Sequence, residues 1–584
     1  MAYINLSKSD IKMIDAVRHH VVMDEPPLPD LKDLLRRLTQ YFPGRIAMVE
    51  KKDGQVVTYT TTQFREDVEA LGTALLDMGL KGAHVGIVSD NCYAWVVSFL
   101  AVANGVGVAV PIDKELDDAS ISRLLNKADC DAVFYNRFYK QTVSGHIKDN
   151  PGFKAAISLD REPEGDKLYS FERLIKRGKE LIAGGDRSYL DAPIDREACC
   201  AIFFTSGTTG SNKGVMLSHK NFSTNVEGII STIPTEYSSF ALLPMYHVFE
   251  LSCDIFTALY MNAIIYINDS LKNILKNIEL FKPEAMNAVP LVLEGIYNGI
   301  WENAKGRGQD EILRKLVKFS NKMREKGIDL RPVLFSTIRK VFCDRKFTTL
   351  VCGGAPSRGE YVRGLGDFGF PVYNGYGLTE CSPTVTLNLH ADEDPTSAGF
   401  VFPKTKFIIH DPDEDGIGEI WVKGDNVTQG YYKDDEANAQ SFEDGWFKTG
   451  DYGRITQDGE LFVSGRKKTM ILLENGENIF PEDIEFFAMD NIPYIREDVA
   501  LEAEKEILGK SRRIIRLVAY VEPNDFPDKS ENELLEMLSA DIEKINRKLP
   551  SYKKIQDVKI RLKEFEKSST RKIIRAKVAE EYGV

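Results

Sequence analysis

Residues 205–214 combine hydroxyl side chains, glycines and one lysine in a single short stretch. The stretch reads Thr205-Ser206-Gly207-Thr208-Thr209-Gly210-Ser211-Asn212-Lys213-Gly214. Glycines let backbone N–H groups turn toward an anion, hydroxyls add hydrogen-bond donors, and a lysine adds positive charge. Apolar runs at 200–204 and 215–217 flank the stretch. This pattern predicts a phosphate-binding loop between two strands, with Ser218 as the N-cap of a helix that continues to Ile230.

The position of the lysine separates this loop from the Walker type. A Walker loop places Ser or Thr directly after Gly-Lys, so that the hydroxyl reaches Mg²⁺. Here Lys213 follows Asn212 and precedes Gly214. A Walker-type nucleotidase is therefore disfavoured, and a plain Gly/Ser/Thr surface turn is the alternative to a phosphate site.

A second segment, 373–380, places aromatic residues beside glycines and then a hydroxyl and a carboxylate. It reads Tyr373-Asn374-Gly375-Tyr376-Gly377-Leu378-Thr379-Glu380. An aromatic ring can lie against a purine, a hydroxyl can donate to a phosphate, and a carboxylate can hold Mg²⁺. Upstream, Gly353, Gly354 and Ala355 follow a predicted strand at a place where backbone can approach a ligand closely.

Three further places are candidates for ligand contacts. Asp451 follows a glycine, and its carboxylate can accept hydrogen bonds from both hydroxyls of a ribose. His247 lies in the apolar segment 243–250, where a lone histidine is, taken alone, more typical of a core residue. The basic segment 567–575 is, taken alone, more typical of a solvated surface.

In their order and spacing these motifs resemble those of the acyl-adenylate-forming family, which includes acyl-CoA synthetases, peptide-synthetase adenylation domains and beetle luciferase. The resemblance extends from about Asp30 to Arg575 and is strongest to long-chain fatty-acyl-CoA synthetases. Three positions depart from the family pattern. Asn212 replaces a usual proline, Thr469 a frequent aspartate, and Arg571 a usual glycine.

The resemblance implies a role for each catalytic position. Lys572 reaches the substrate carboxylate and the α-phosphate during adenylation, and Thr379 also contacts the α-phosphate. Glu380 holds Mg²⁺, and His247 lies beside the carboxylate of the acyl substrate.

For the nucleotide, the resemblance implies that Tyr376 stacks on adenine, Asp451 binds the ribose and Arg466 helps to grip the nucleotide. Lys468 is the hinge about which the C-terminal domain turns. The remaining implied nucleotide contacts are Thr205, Ser206, Gly207, Thr208, Thr209, Gly210, Lys213, Gly353, Gly354, Ala355, Asn374 and Gly377.

The activity that the resemblance implies is ATP-dependent activation of a medium- or long-chain fatty acid to acyl-AMP, with Mg²⁺. The acyl group then passes to coenzyme A, which gives acyl-CoA, AMP and pyrophosphate. Three alternatives stay open: transfer to an acyl carrier protein, use of an aromatic or other acid, and a catalytically silent nucleotide- or acyl-binding protein.

The elements that must position these residues alternate between helix and strand. Apolar residues from Phe64 to Met78 recur at spacings of four and three, which predicts a helix ending at Gly79. A strand at 84–88, a helix at 93–103 and a strand at 106–112 follow. Such alternation predicts layered α/β architecture with parallel sheets.

A composition break after Lys468 predicts two domains. Residues 1–466 form the expected ATP- and acyl-binding domain, and residues 467–584 a small mobile α+β lid. Within the lid, the patterns predict a strand at 514–521, a helix at 534–549 and a strand at 558–562.

Segment 305–346 is basic within an acidic chain. It holds thirteen Lys/Arg against five Asp/Glu in a helical pattern with apolar residues, although the whole chain of 584 residues carries −13. We favour a solvated helix face that covers the core. The alternative is a basic patch that contacts an anionic membrane or the phosphates of coenzyme A, like the helical insertion of long-chain family members.

The bulk properties restrict the location and partners of the protein. The acidic balance argues against nucleic-acid binding. Eight cysteines without a CxxC pair, and the lack of a signal-peptide pattern, predict a cytoplasmic protein, with peripheral membrane contact through 305–346 as the further option. The most apolar stretch, 94–110, is too interrupted for a membrane span and predicts a buried helix and strand.

Overall fold

The structure is a computed structural model that describes residues 27–161, 163, 165–205, 212–234, 238–342, 347–391, 394–472, 478–507, 510–567 and 573–583. The chain forms two compact units. The first unit comprises the chain up to Lys406 together with Val422–Phe447. The second unit comprises Phe407–Trp421 and the chain from Lys448 onward.

Two sheets form the framework of the first unit. Their strands are β1 (Ile46–Lys52), β2 (Gln55–Thr60), β3 (His84–Val88), β4 (Val108–Pro111), β5 (Cys130–Tyr135), β6 (Ala155–Ser158), β7 (Leu168–Ser170), β8 (Cys199–Thr205), β9 (Lys213–Ser218), β10 (Ser238–Ala241), β11 (Ile264–Ile267), β12 (Ala285–Ala288), β13 (Thr349–Cys352), β14 (Val372–Gly377), β15 (Thr384–Leu387) and β16 (Phe400–Val401).

The two sheets are mostly parallel, as the alternation of elements predicts. One has the order β7-β6-β5-β3-β4-β8-β9, and only the edge strand β9 runs antiparallel to its neighbour. The other has the order β16-β15-β14-β13-β12-β10-β11-β1-β2, with a parallel run from β14 to β1. Side chains from both sheets are buried, since helices pack over them.

Helices connect the strands of the first unit. They are α1 (Leu31–Tyr41), α2 (Thr61–Asp77), α3 (Tyr93–Ala101), α4 (Asp118–Lys127), α5 (Lys140–Asp149), α6 (Phe171–Ala183), α7 (His219–Ile230), α8 (Val248–Glu250), α9 (Thr257–Met261), α10 (Ile274–Phe281), α11 (Pro290–Gly306), α12 (Asp310–Arg324), α13 (Arg331–Leu334), α14 (Ser336–Arg339), α15 (Gly359–Asp367) and α16 (Asp435–Ser441). π-helical turns occupy Val102–Val106 and Leu251–Phe256, and 3₁₀ turns Arg137–Tyr139, Leu271–Asn273 and Thr379–Cys381.

Local sequence signals fix several of these boundaries. Ser218 accepts from the Asn221 N–H and caps α7 as predicted. Gly79, with φ of +75°, follows α2 where the predicted helix ends. The region after Tyr93 differs from the prediction, because the chain leaves α3 through a π-helical turn with Gly105 at φ +152°, and β4 begins only at Val108.

The basic segment forms α12 to α14 beside the end of α11. One face of α12 carries Leu313, Leu316 and Val317, which pack against a buried apolar cluster. Its opposite face is exposed to solvent and carries Ile312 and Phe319. Helix α12 therefore covers core with one face and offers the other to solvent.

The chain from Thr405 onward adds further strands: β17 (Thr405–His410), β18 (Gly418–Gly424), β19 (Phe442–Glu443), β20 (Trp446–Ile455), β21 (Leu461–Arg466), β22 (Ile471–Leu472), β23 (Asn478–Ile479), β24 (Ile495–Ile507), β25 (Lys510–Val521) and β26 (Asp557–Arg561). The C-terminal part also contains α17 (Pro481–Asn491), α18 (Glu531–Asn546) and α19 (Arg575–Glu581), with 3₁₀ turns at Pro523–Asp525 and Ser551–Lys553.

The C-terminal part is α+β, as predicted. Strands β17 to β21 form one sheet, β22 pairs with β23, and a third sheet has the order β24-β25-β26. Side chains of α17, α18, β24 and β25 share one apolar core. Helix α18 ends at Asn546, before the residue that the predicted stripe reached, because the chain then turns toward Pro550. Among the described helices, none combines the length and apolar character needed to cross a lipid bilayer.

Candidate functional site

The glycine-containing segments predicted to bind the nucleotide lie side by side at one edge of the nine-stranded sheet. Gly353, Gly354 and Ala355 follow the carboxyl end of β13, and residues 374–377 form the end of β14. These two strands are parallel neighbours, and β12 lies next to β13. In open α/β sheets, ligands bind at the carboxyl ends of the strands.

Gly353 and Gly354 lie beside apolar side chains at this edge. A Cβ on Gly353 would lie 3.3 Å from Phe249 Cζ and 3.6 Å from the Gly375 carbonyl oxygen. Gly354 has φ of +82°, a region that favours glycine, and its nearest neighbour is Val289. The backbone here therefore lies beside apolar side chains on one side of the sheet edge.

Asn374, a predicted nucleotide contact, is engaged in hydrogen bonds within the protein. Its N–H donates to Asn388 Oδ1 at 2.6 Å, and its side-chain amide donates to the Pro395 carbonyl at 2.8 Å. Its Oδ1 accepts from Ser357 Oγ at 3.3 Å. In this structure Asn374 thus fixes the loops around the sheet edge.

Thr379 and Glu380 lie in a tight turn between β14 and β15. The Leu378 N–H donates to the Pro383 carbonyl at 2.8 Å, which closes the turn. Gly377 packs so closely on this carbonyl that a Cβ would lie 2.0 Å from it. Thr379 and Glu380 occupy a 3₁₀ turn and are half-buried, and Tyr376, on β14, is likewise half-buried.

The predicted phosphate loop joins two antiparallel strands, as the flanking apolar runs indicate. Thr205 at the end of β8 pairs with Lys213 at the start of β9. Lys127 Nζ donates to the Asn212 carbonyl at 2.5 Å, which fixes the second end of the loop. Residues 206–211, which include the predicted contacts Ser206, Gly207, Thr208, Thr209 and Gly210, lie outside the described residues.

One tyrosine, which the sequence motifs do not reveal, contacts residues of both predicted phosphate-site motifs. Lys213 Nζ lies 4.5 Å from the centroid of the Tyr431 ring. The Tyr431 hydroxyl donates to Glu380 Oε1 at 2.8 Å. Burial, together with the Glu380 carboxylate, raises the pKa of Tyr431 well above its ordinary value, so the hydroxyl remains a donor.

Backbone pairing places Tyr431 at this position. The Met216 N–H donates to the Gly430 carbonyl at 3.0 Å, and the Tyr432 N–H donates to the Gly214 carbonyl at 2.8 Å. The Thr428 N–H also donates to the Glu380 carbonyl at 2.7 Å. Residues 428–432 thus run along β9 and reach the turn that carries Glu380.

His247 lies at the start of α8, half-buried beside the ring of Tyr246 at 4.5 Å between centroids. About one and two helical turns further on, Glu250 and Asp254 are both buried. Burial raises the pKa of Glu250 well above its ordinary value, with Asp254 adding to the shift, and burial raises the pKa of Asp254 to about 6. Ser239 donates to Asp254. This acid pair is a second feature that the sequence motifs do not reveal.

Asp451 and Arg466 face each other in the second unit. They are paired across β20 and β21, and Arg466 Nε lies 2.9 Å from Asp451 Oδ1. The structure therefore brings the predicted ribose-binding carboxylate and the predicted nucleotide-gripping guanidinium into direct contact. Lys468, the predicted hinge, is exposed in the turn directly after β21.

Lys572 lies outside the described residues. The residues on either side of it are placed, because Lys567 pairs with Ile573 as an antiparallel bridge and the Ile574 N–H donates to the Glu566 carbonyl at 2.9 Å. Beyond them, Arg575 Nη2 contacts Glu485 Oε2 at 2.6 Å.

The donor set around Glu380 fits a magnesium ion bound with a nucleotide. In the described part of the chain, no group of three or more His, Cys, Asp or Glu side chains is arranged to hold a metal. Mg²⁺ needs no such group, since it usually keeps water and binds through one or two carboxylates plus substrate phosphates. Glu380 could serve as such a carboxylate, and it accepts a hydrogen bond from the Tyr431 hydroxyl.

The fold and these motifs define a nucleotide-binding α/β enzyme, and comparison with known sequences specifies its family. Residues 35–432 match the AMP-binding enzyme family, and residues 468–583 match the C-terminal domain of AMP-binding enzymes. The chain therefore belongs to this acyl-adenylate-forming family. It is most like fatty-acyl-CoA synthetases: a long-chain-fatty-acid–CoA ligase of Xenopus laevis, ACSBG2, is 26% identical over 545 residues, 86% of this chain and 73% of the relative.

Solved structures confirm the adenylate-forming fold. The anthranilate CoA ligase AuaEII, in complex with anthranoyl-AMP, aligns with a TM-score of 0.76 at 18% identity, over 96% of this chain and 99% of that one. The o-succinylbenzoate–CoA synthetase MenE of Bacillus subtilis, in complex with ATP and magnesium ion, aligns with a TM-score of 0.69 at 20% identity, over 93% and 98%. The predicted domain boundary at 466 and the predicted residue roles stay predictions.

Proposed function

We propose that the protein activates a medium- or long-chain fatty acid with ATP and transfers the acyl group to coenzyme A. A carboxylate oxygen of the acid bonds to the α-phosphorus, and the bond to the β-phosphate breaks, which gives acyl-AMP and pyrophosphate. The thiol sulfur then bonds to the acyl carbon, the bond to AMP breaks, and the thiol proton passes to solvent. The proposal rests above all on the contacts of Tyr431: its ring lies beside Lys213, and its hydroxyl donates to Glu380.

In the first step the chain must hold two anions together, since a carboxylate approaches a phosphate. Preorganised positive charge and hydrogen-bond donors offset this repulsion. We assign the phosphates to Lys213 and the loop that begins at Thr205, and the α-phosphate to Thr379 and Lys572. Mg²⁺ bound at Glu380 would neutralise phosphate charge and favour the leaving of pyrophosphate.

The remaining roles concern the nucleoside and the second step. Asp451 is proposed to accept hydrogen bonds from the ribose hydroxyls, and Arg466 to help to grip the nucleotide, while Tyr376 stacks on adenine. A rotation about Lys468 between the two steps would withdraw Lys572 and admit the thiol.

An apolar acid suits the groups beside the glycine segment. A Cβ on Gly353 would lie 3.3 Å from Phe249 Cζ, and a Cβ on Gly354 would lie 3.8 Å from Val289 Cγ1. His247, two residues before Phe249, is proposed to lie beside the substrate carboxylate. Relatives named long-chain-fatty-acid–CoA ligases support an aliphatic acid.

Pyrophosphate release from ATP, measured with acids from acetate to stearate and with benzoate, tests the activity. Each acid is assayed with and without coenzyme A, with Glu380→Gln as the inactive comparison. We expect release to peak at one aliphatic length and to accelerate with coenzyme A. No release with any acid would contradict the proposal and leave a silent binding protein.

Two other outcomes separate the alternatives. Release that does not respond to coenzyme A would indicate a protein-bound thiol, as in transfer to an acyl carrier protein. Release that is greatest with benzoate would indicate an aryl-CoA ligase. The second outcome has a structural precedent, since the fold matches that of an anthranilate CoA ligase.

We also propose that α12 brings this cytoplasmic enzyme into peripheral contact with an anionic membrane surface. On the outer face of α12, Ile312 is 59% exposed and Phe319 51% exposed. Lys315 and Lys322 recur on this face at helical spacing, and neither forms an ion pair within the described ranges. Exposed apolar groups beside unpaired lysines suit the interface of anionic lipids, where each basic residue contributes about 1 kcal/mol.

Vesicle co-sedimentation tests the membrane contact. Phosphatidylcholine vesicles are compared with vesicles that also contain phosphatidylglycerol. We expect binding only to the anionic vesicles, weakened about tenfold or more in a Lys315→Gln/Lys322→Gln variant. Replacement of Ile455, 46% exposed on β20, by Ser is the control and should retain binding. Equal binding of both vesicle types, or unchanged binding of the lysine variant, would contradict the proposal.

A further inference from the structure

We infer that Tyr431 is a positioning residue that keeps Lys213 and Glu380 apart, so that the lysine serves the phosphates and the carboxylate serves the magnesium. The inference rests on the proposed adenylation activity and adds a residue that no phosphate-site motif contains. Its basis is one side chain that contacts both charged groups.

The two contacts use different parts of Tyr431. The face of the ring lies beside the Lys213 ammonium, with Nζ 4.5 Å from the centroid. The hydroxyl, at the far end of the ring, donates to Glu380 Oε1 at 2.8 Å. Cation–π attraction holds the ammonium, and the hydrogen bond occupies one carboxylate oxygen.

Tyr431 is held firmly enough to act as a spacer. Its side chain is buried, at 4% exposure for the residue. The side chain of Asn438, on α16, forms two hydrogen bonds with the Tyr431 backbone. Asn438 Oδ1 accepts from the Tyr431 N–H at 2.7 Å, and Asn438 Nδ2 donates to the Tyr431 carbonyl at 3.0 Å. The bridge between Tyr431 and Val215 fixes the residue along β9.

The arrangement prevents two opposite charges from pairing with each other. A lysine and a carboxylate close to the same phosphate site attract, and a direct ion pair would neutralise both before the substrate binds. Within the described ranges Lys213 forms no ion pair with a carboxylate, and the Tyr431 ring lies against it instead. A hydrogen bond from a residue that does not itself touch the metal commonly orients a metal-binding carboxylate.

Two substitutions separate the two contacts. Tyr431→Phe retains the ring and removes the hydroxyl, so only the orientation of Glu380 is lost. Tyr431→Leu removes both contacts and lets Lys213 approach Glu380. Tyr432→Phe is the matched control, because the Tyr432 hydroxyl donates to Asp129 at 2.7 Å and contacts neither group.

Binding is measured without turnover. The electron paramagnetic resonance signal of free Mn²⁺ reports metal binding in the presence of ATP, and calorimetry with EDTA reports ATP binding without metal. In Tyr431→Phe we expect Mn²⁺ affinity to fall about tenfold and metal-free ATP affinity to stay within about twofold of the wild type. In Tyr431→Leu, ATP affinity without metal should also fall, by about two- to thirtyfold. Tyr432→Phe should match the wild type in both measurements.

The outcomes distinguish this inference from the proposed activity. Equal Mn²⁺ affinity in the wild type and Tyr431→Phe overturns the role of Tyr431, even if pyrophosphate release is observed. A parallel loss of Mn²⁺ and metal-free ATP binding in Tyr431→Phe also overturns it, since that pattern indicates a purely structural residue. A wild type that binds Mn²⁺ and ATP with the expected Tyr431→Phe difference, yet activates no acid, upholds the positioning role and contradicts the activity alone.

Discussion

Arg466 Nε lies 2.9 Å from Asp451 Oδ1, between residues that face each other across two antiparallel strands. The Asp451 side chain is 5% exposed, whereas that of Arg466 is 55% exposed. The carboxylate is therefore enclosed and oriented, while the guanidinium retains access to solvent and to a ligand. This asymmetry suits the proposed roles of a carboxylate that binds a ribose and an arginine that helps to grip the nucleotide.

Replacing Asp451 by Asn tests this relationship. The substitution keeps the shape of the side chain but removes the charge that strengthens hydrogen bonds from ribose hydroxyls. Because a hydrogen bond to a charged group contributes about 1.5–3 kcal/mol, we expect the KM for ATP to rise about tenfold or more, with little change in the KM for the carboxylic acid substrate. Steady-state kinetics with each substrate varied would measure the difference. An equal rise in both KM values would instead indicate damage to the fold.

Gly377→Ala tests the turn that carries Thr379 and Glu380. The added Cβ would lie 2.0 Å from the Pro383 carbonyl oxygen, which accepts the Leu378 N–H, so the turn must open. We expect pyrophosphate release to fall at least about tenfold, because even a small displacement of Thr379 and Glu380 from their proposed positions at the phosphates is costly. Gly366→Ala is the control, since a Cβ there meets no atom within 4 Å. Retained activity in Gly377→Ala would show that the turn adapts.

Much of this fold follows from local patterns in the sequence. The apolar spacing from Phe64 onward predicts α2, and Ser218 predicts the start of α7, because each depends on neighbouring residues. Gly-Ser-Thr composition between apolar runs likewise predicts the β8–β9 connection. These helices and strands depend on residues that are neighbours in the chain, so a single sequence is enough to predict them.

The features that the sequence did not reveal depend on distant pairing. Tyr431 reaches Lys213 only because residues 430–432 pair with β9, more than two hundred positions earlier in the chain. The π-helical turn that contains Asp254 likewise depends on tertiary packing, which overrides the regular helical period. The sequence does not distinguish Glu250 from other acidic residues. Its raised pKa follows from its burial beside Asp254 in the folded chain.

His219 predicts a loss of stability in acid. It accepts from the Leu31 N–H through Nδ1 at 3.2 Å and contacts the Ala103 carbonyl through Nε2 at 3.0 Å, which requires the neutral ring. Burial lowers the pKa of His219, so below about pH 6.5 the unfolded chain binds a proton that the folded chain resists. The free energy of unfolding should therefore decrease as the pH is lowered. The decrease is up to about 1.4 kcal/mol per pH unit for this group.

Urea unfolding of the wild type and His219→Gln between pH 5 and pH 8 (about the range where histidine titrates) measures that contribution. Gln can accept from Leu31 and donate to Ala103 at every pH, so the variant should lose part of the acid sensitivity. His410→Gln, which replaces an exposed ring, should keep the wild-type profile. Identical pH profiles for the wild type and His219→Gln would rule out this role.

Glu250 predicts the opposite pH dependence. Burial, with Asp254 beside it, raises the pKa of Glu250, so the folded chain keeps a proton that the unfolded chain releases above about pH 4.3. The stabilisation from Glu250 is therefore complete at low pH and declines as pH rises toward its folded-state pKa. Glu250→Gln is neutral at every pH and should gain stability relative to the wild type as pH increases from about 5 to 8. Glu302→Gln, at an exposed carboxylate on α11, should show no such trend. A constant difference between the wild type and Glu250→Gln across this range would show that Glu250 is ionised in the folded protein.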